Sequence, residues 1–321
     1  MTKLTKKNIT TNFIQIIVIF IYINLLTSLF GMQESLTGVA LITALLMFIN
    51  IPLQLSPKKA SLMVSTSFLL YGTIATLNLI VPFYLMIPIN LISIYTLMCA
   101  YSNNFKYKIF MPFILLYIFD STTDMNNFNL KNRFLCLLLT SVLLGIVYFI
   151  KNKNDANNVQ SPHVKLESHY VSILMSVGIS LSLIIINCFH LSKGMWICMT
   201  VMSLTQISVN TTKQRLLRRI MGTITGILIY FVIFSILIPV QYHLYLILIL
   251  AFVFSFIKNY FVQIIFITFN VMYSTENLFS LNQAILQRIS FIILGCLIVT
   301  VITYLIKNIF AYQYKKYSLS K

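Results

Sequence analysis

Residues 284–308 read AILQRISFIILGCLIVTVITYLIKN, where a single arginine, Arg288, precedes a run from 289 to 306 without any charged residue. At 1.5 Å of rise per residue that run makes about 27 Å of helix, close to the ~30 Å hydrocarbon core of a bilayer. Residues 129–152, NLKNRFLCLLLTSVLLGIVYFIKN, repeat the form, with Arg133 standing where the later stretch has Arg288. Both read as membrane-spanning helices, and the rest of the chain resembles them in composition.

Of the 321 residues, 59% are hydrophobic and 9% charged, with a mean hydropathy of +0.89, whereas a soluble globular protein carries about 25% charged residues. Further apolar stretches cover 12–30, 36–55, 61–80, 82–101 and 108–120 before the one at 134–150. Beyond it come 170–189, 195–209, 220–238, 242–257 and 259–273, then 289–310. The fold class expected is therefore all-α, a polytopic transmembrane helical bundle of about 12 spans. The fifth, eighth and eleventh stretches are short for a bilayer and are tilted, broken or re-entrant, so ten or eleven true spans stay open. Little chain remains for a soluble domain, which excludes a large extramembrane catalytic or nucleotide-binding domain.

A formal charge of +17 would suggest nucleic acid in a soluble protein, but here it bears on orientation, because cytoplasmic loops hold the excess of Lys and Arg. With the N-terminus inside and twelve spans, all of the 23 Lys and Arg except Lys131, Arg133, Lys193 and Arg288 fall on the inner side. Both termini are expected in the cytoplasm of a bacterial cell. The first stretch follows Lys3, Lys6 and Lys7 without a small-residue cleavage site and reads as a retained signal anchor.

The polar stretch 151–169, KNKNDANNVQSPHVKLESH, reads as a cytoplasmic linker. It divides the chain into a first six-helix transmembrane repeat, 1–150, and a second, 170–321. Gly31-Met32 and Gly194-Met195 open corresponding spans, and Arg133 and Arg288 begin corresponding last spans. An even number of spans per copy gives two parallel 6-helix repeats, related by an axis along the membrane normal.

The most informative segment is residues 193–231, KGMWICMTVMSLTQISVNTTKQRLLRRIMGTITGILIYF. Trp196 opens one span, and a basic cluster leads into GTITG at the head of the next. Gly222 and Gly226, four apart, share a helix face and read as helix packing together with Thr223 and Gly295. Arg215, Arg218 and Arg219, at spacings of three and four, would crowd one side of an inner mouth. A charged cleft with low-dielectric walls concentrates counter-ions, and the planar guanidinium fork binds carboxylates bidentately. The competing reading of the cluster is topological, since an inner loop is basic in any case. Arg288, at an outer helix end, is expensive there unless it faces a cavity or a partner. The candidate anion-binding residues are thus Arg215, Arg218, Arg219 and Arg288.

The acids Asp120, Asp124 and Glu276 are candidates for proton coupling, Asp120 first because it terminates the apolar run FILLYIFD. Glu276 is placed to partner Arg288, and Asp120 or Asp124 to partner Arg133; the alternative is an interfacial charge for each. The five cysteines form no CxxC and the four histidines no ligand spacing, so neither a metal nor a cofactor is expected. HExxH, GxSxG, phosphate-loop and GxGxxG signatures are missing, and the chain is read as not an enzyme.

The Trp-led helix and the R-x-x-G-T-x-x-G element of Arg219, Gly222, Thr223 and Gly226, followed by the arginine-to-glycine helix of Arg288 and Gly295, resemble the fusaric acid resistance (FUSC) or aromatic acid exporter-like family of membrane transporters. The resemblance covers residues 190–305. The first half departs from it: Met32 and Gln33 stand where Trp is expected, and Ser56, Pro57, Lys58 and Lys59 replace the arginine-rich element, as in a degenerate copy. The resemblance implies an inner-membrane transporter effluxing organic anions such as aromatic carboxylic acids, with coupling to protons open. A passive anion channel and a non-transporting membrane scaffold or envelope accessory protein are the alternatives. The partners expected are the lipid bilayer and a small organic anion, with no nucleic acid; the sequence admits a homo-oligomer.

Overall fold

The computed structural model describes residues 6–51, 53, 55–102, 107–124, 129–153, 166–205, 209–276 and 279–319. They form twelve α-helices and no strand. In chain order these are α1 (Lys6–Phe30), α2 (Ser35–Asn50), α3 (Pro57–Leu77), α4 (Phe83–Ala100), α5 (Met111–Ser121) and α6 (Leu130–Asn152). Then follow α7 (Leu166–Cys188), α8 (Met195–Leu204), α9 (Val209–Tyr230), α10 (His243–Phe254), α11 (Tyr260–Glu276) and α12 (Leu281–Leu319). Seven of them, α1, α3, α4, α6, α7, α9 and α12, are long and apolar enough to cross a membrane. The chain is a multi-pass, all-helical membrane protein. At eleven and ten residues, α5 and α8 reach only about 15 Å, roughly half of a ~30 Å hydrocarbon core. Residues 154–165 of the expected linker lie outside the described residues, while 151–153 end α6 and 166–169 begin α7.

Local chemistry sets the helix ends. Pro57 occupies the first turn of α3, where its missing N–H costs nothing. The Asn129 side chain caps α6 by accepting from the backbone N–H groups of Lys131 and Asn132. Gly31, at φ 106°, makes the turn from α1 toward α2, a backbone conformation open to glycine at little cost. Within the helices, several hydroxyls are satisfied by their own backbone: Thr76 donates to Gly72 O, Thr140 to Cys136 O, and Thr268 to Ile264 O. This is how a polar side chain sits in hydrocarbon without a water.

The chain forms two compact units, Met1–Phe20 with Ser208–Leu297 and Ile21–Ile207 with Ile298–Lys321. In the larger unit α3 lies against α6 through small residues: Ser61 Oγ donates to Gly145 O and Ser65 Oγ to Ser141 O, each at 2.8 Å. Leu137 fills the space beside Gly72. The serines of α7 at 172, 176 and 180 are buried, with Ser180 Oγ 3.5 Å from Ile87 O of α4. Helix α5 is buried along most of its length, and its Phe113 ring meets Phe48, Phe68 and Tyr101.

In the smaller unit α9 packs on α11, and its last turn widens into a π-helix at Phe231–Leu237. Tyr230, Phe234, Phe269 and Met272 form the centre of a hydrophobic cluster that includes Ala284 of α12. Near the start of α1, Asn12 Nδ2 donates to Ser255 Oγ at 3.1 Å and Phe13 stands edge-on to Phe252.

Candidate functional site

The largest fully buried side chains among the described residues are Arg133 and Arg288. Taking a guanidinium out of water costs several kcal/mol even after relaxation, so each marks a place where the fold maintains a charge against an apolar surround.

Arg288 lies on α12 and Arg219 on α9, both in the smaller unit. Arg219 is 3% exposed and Arg288 2%. The close approach of α9 and α11 comes from Gly222 and Gly226: a Cβ at Gly222 would meet Ile264 Cβ and Phe261 O at 3.1 Å, and one at Gly226 would meet Thr268 Cβ at 2.9 Å. Thr223 and Gly295 are buried beside these elements.

The basic cluster divides. Arg219 points into the unit, Arg218 is exposed, and Arg215, half-buried, lies over the Tyr260 ring of α11 at 5.1 Å from its centroid. That cation–π contact holds one face of the cluster against α11. Glu276 accepts a hydrogen bond from the Tyr230 hydroxyl. The site is thus two buried arginines, Arg219 of α9 and Arg288 of α12, with a third, Arg215, half-buried on α9.

Arg133 belongs to the larger unit and has a different setting. Its Nε lies 2.8 Å from Glu34 Oε1 and 2.6 Å from Oε2, its Nη1 3.0 Å from Asp120 Oδ1, and its Nη2 donates to Thr123 Oγ1 at 3.1 Å. Thr37 Oγ1 donates to Asp120 Oδ1 at 2.9 Å. Asp120 and Glu34 are buried, while Asp124 is exposed. Glu34, Thr37 and Thr123 were not among the residues singled out from sequence. The available signal was an acid in GMQES, a short break between two apolar runs.

An apolar groove of ≈ 520 Å³ runs between α1 and α6, lined by Tyr22, Leu26, Phe30, Leu139, Leu143 and their neighbours. No charged residue lines it, so it suits a hydrocarbon chain and cannot position an anion. Among the described residues no group of three His, Cys, Asp or Glu is placed to hold a metal ion.

The family model described as fusaric acid resistance protein-like matches residues 181–302, the segment that contains Arg219, Gly222, Gly226, Arg288 and Gly295. A curated relative, the uncharacterized protein YhfK of Escherichia coli (strain K12), is 37% identical over 128 residues, which are 39% of this chain and 18% of that protein. The chain therefore matches less than a fifth of that relative's length. No solved structure matches the chain. The paired buried arginines of the smaller unit and the glycines that bring α11 onto α9 all fall within the matched residues, and the segment 181–302 is fusaric acid resistance protein-like.

Proposed function

We propose that the protein is a bacterial inner-membrane transporter that moves small organic anions, aromatic carboxylates among them, outward through the smaller unit. The observation that carries this reading is the burial of Arg219 and Arg288, two guanidinium groups held inside a multi-pass membrane protein and within the segment that matches the fusaric acid resistance protein-like model. A carboxylate entering the unit would meet guanidinium forks whose geometry fits its two oxygens. Arg215 and Arg218, on the preceding turn of α9, would draw the anion toward the site. Gly222, Thr223, Gly226 and Gly295 serve as packing residues that let the helices approach.

The same reading takes the twelve helices as two parallel six-helix repeats, 1–150 and 170–321, joined by a cytoplasmic linker, with both termini cytoplasmic. Its support is the burial of Arg133 near the start of α6 and of Arg288 near the start of α12, together with the bias of Lys and Arg to one side. Asp124, exposed, and Glu276, engaged by Tyr230, are the weaker coupling candidates.

Uptake of labelled aromatic and aliphatic carboxylates into inverted membrane vesicles, with and without an imposed proton gradient, tests it. Gradient-driven accumulation above empty-vector vesicles supports the exporter. Equilibration without accumulation replaces it by an anion channel, and no uptake beyond the control replaces it by a membrane scaffold.

A further inference from the structure

The Glu34, Asp120 and Arg133 cluster brings two carboxylates to one guanidinium in a buried site. With both acids ionised it would carry one excess negative charge. Burying an uncompensated charge costs several kcal/mol, and a group so placed neutralises instead. The geometry points to which acid does so. Both Glu34 oxygens lie within 2.8 Å of Arg133 Nε. Asp120 directs Oδ1 to Arg133 and Thr37, and its Oδ2 is buried without a hydrogen-bond partner. A neutral O–H at that position is far less costly than a bare anionic oxygen.

We propose that Asp120, clamped between Thr37 and Arg133, is a proton-binding site, with Oδ2 taking one proton from water and returning it when the cluster opens. Release requires the cluster to open to water, which solvates the excess negative charge that the ionised Asp120 then adds. The route for the proton is short, because Thr123 is half-buried, Asp124 is exposed, and both follow directly on the end of α5.

The other titratable groups on the elements packed against α5 leave this assignment intact. Helix α6 brings Arg133, Cys136, whose thiol feels both carboxylates, Lys131 and Lys151, both exposed, and Tyr148, whose hydroxyl accepts from Leu53 N. Helix α3 brings Lys58 and Lys59, both exposed, and Tyr71, bonded to Thr96. Helix α4 brings Tyr84, Tyr95 and Cys99, with Tyr95 held by His169. Helix α8 brings Cys198, beside Ser182. The cations that reach Asp120 among these reduce to Arg133, and Arg133 is shared with Glu34.

Infrared titration of the full chain in lipid membranes, labelled with isotopic aspartate, reads the proton directly, with no transport involved, so it fails or succeeds apart from the exporter reading. The aspartates are Asp120, Asp124 and Asp155. The expected result is a label-sensitive carboxylic acid C=O band at neutral pH that survives Asp124→Asn and vanishes in Asp120→Asn. Glu34→Gln removes the excess charge and should weaken proton binding at least tenfold, moving the band's titration acidward by about one pH unit or more. A label-insensitive band, a band retained in Asp120→Asn, or an unmoved titration in Glu34→Gln would each overturn the proposal. The wild-type and Glu34→Gln measurements decide it even where Asp120→Asn does not fold.

Discussion

Arg133 Nε meets Glu34 Oε1 at 2.8 Å across 99 residues of chain. The bond ties the first turn of α6 to the short 3₁₀ turn that opens α2. Both partners are buried, so the pair is an internal tie of the larger unit rather than a surface ion pair.

Removing Arg133 leaves two buried acids facing each other. Arg133→Ala should destabilise the protein by about 3–5 kcal/mol, the usual cost of breaking a buried pair from one side. Arg133→Met combined with Glu34→Gln and Asp120→Asn should recover part of that loss, because no net charge remains. Thermal unfolding of the purified variants in detergent checks the order, and a triple variant weaker than Arg133→Ala would contradict it.

Glycine substitutions should separate by the space around them. A Cβ at Gly226 would come within 2.9 Å of Thr268 Cβ, whereas one at Gly38 meets nothing nearer than 3.6 Å. Gly226→Ala should cost about 1–3 kcal/mol through overpacking, and Gly38→Ala should be close to neutral. The same unfolding assay applies.

Transport should follow burial within the basic cluster. Losing a charge-assisted hydrogen bond costs about 1.5–3 kcal/mol, so Arg219→Ala should weaken carboxylate uptake about tenfold or more while still inserting in the membrane. Arg218→Ala, at an exposed position, should change it much less. Vesicle uptake at several substrate concentrations measures both, and equal effects would argue that the cluster acts only through net charge.

Cysteine labelling tests the orientation. Cys188 is exposed at the end of α7, Cys99 is half-buried near the end of α4, and Cys136 and Cys198 are buried. A membrane-impermeant maleimide should label Cys188 in intact cells and reach Cys99 only after permeabilisation. The reverse pattern would invert the proposed orientation.

The spans at α6 and α12 were legible because a long uncharged run has few other uses in a protein. The short α5 and α8 were legible for the same reason, as runs that end too soon. Glu34 was not, since its role depends on which helix lies opposite, and local periodicity says nothing of that. The π-helix at Phe231–Leu237 was hidden too: the apolar run 220–238 reads as one regular helix, and the wider turn arises where Tyr230 and Phe234 stack in their cluster. Arg219 and Arg218 are neighbours of identical chemistry, and their opposite burial follows from the angular step between adjacent helix positions once α11 has closed on one face.

Helix α1 has only 6% of its apolar window buried. Over much of its length, then, its outward side chains need only be oily, and one hydrocarbon group can replace another there. Its few discriminating positions are those with a named partner, such as Asn12 on Ser255 and Phe13 on Phe252. Among the described spans it has the smallest buried share, and on its outward face the letters can drift while the physics stays the same.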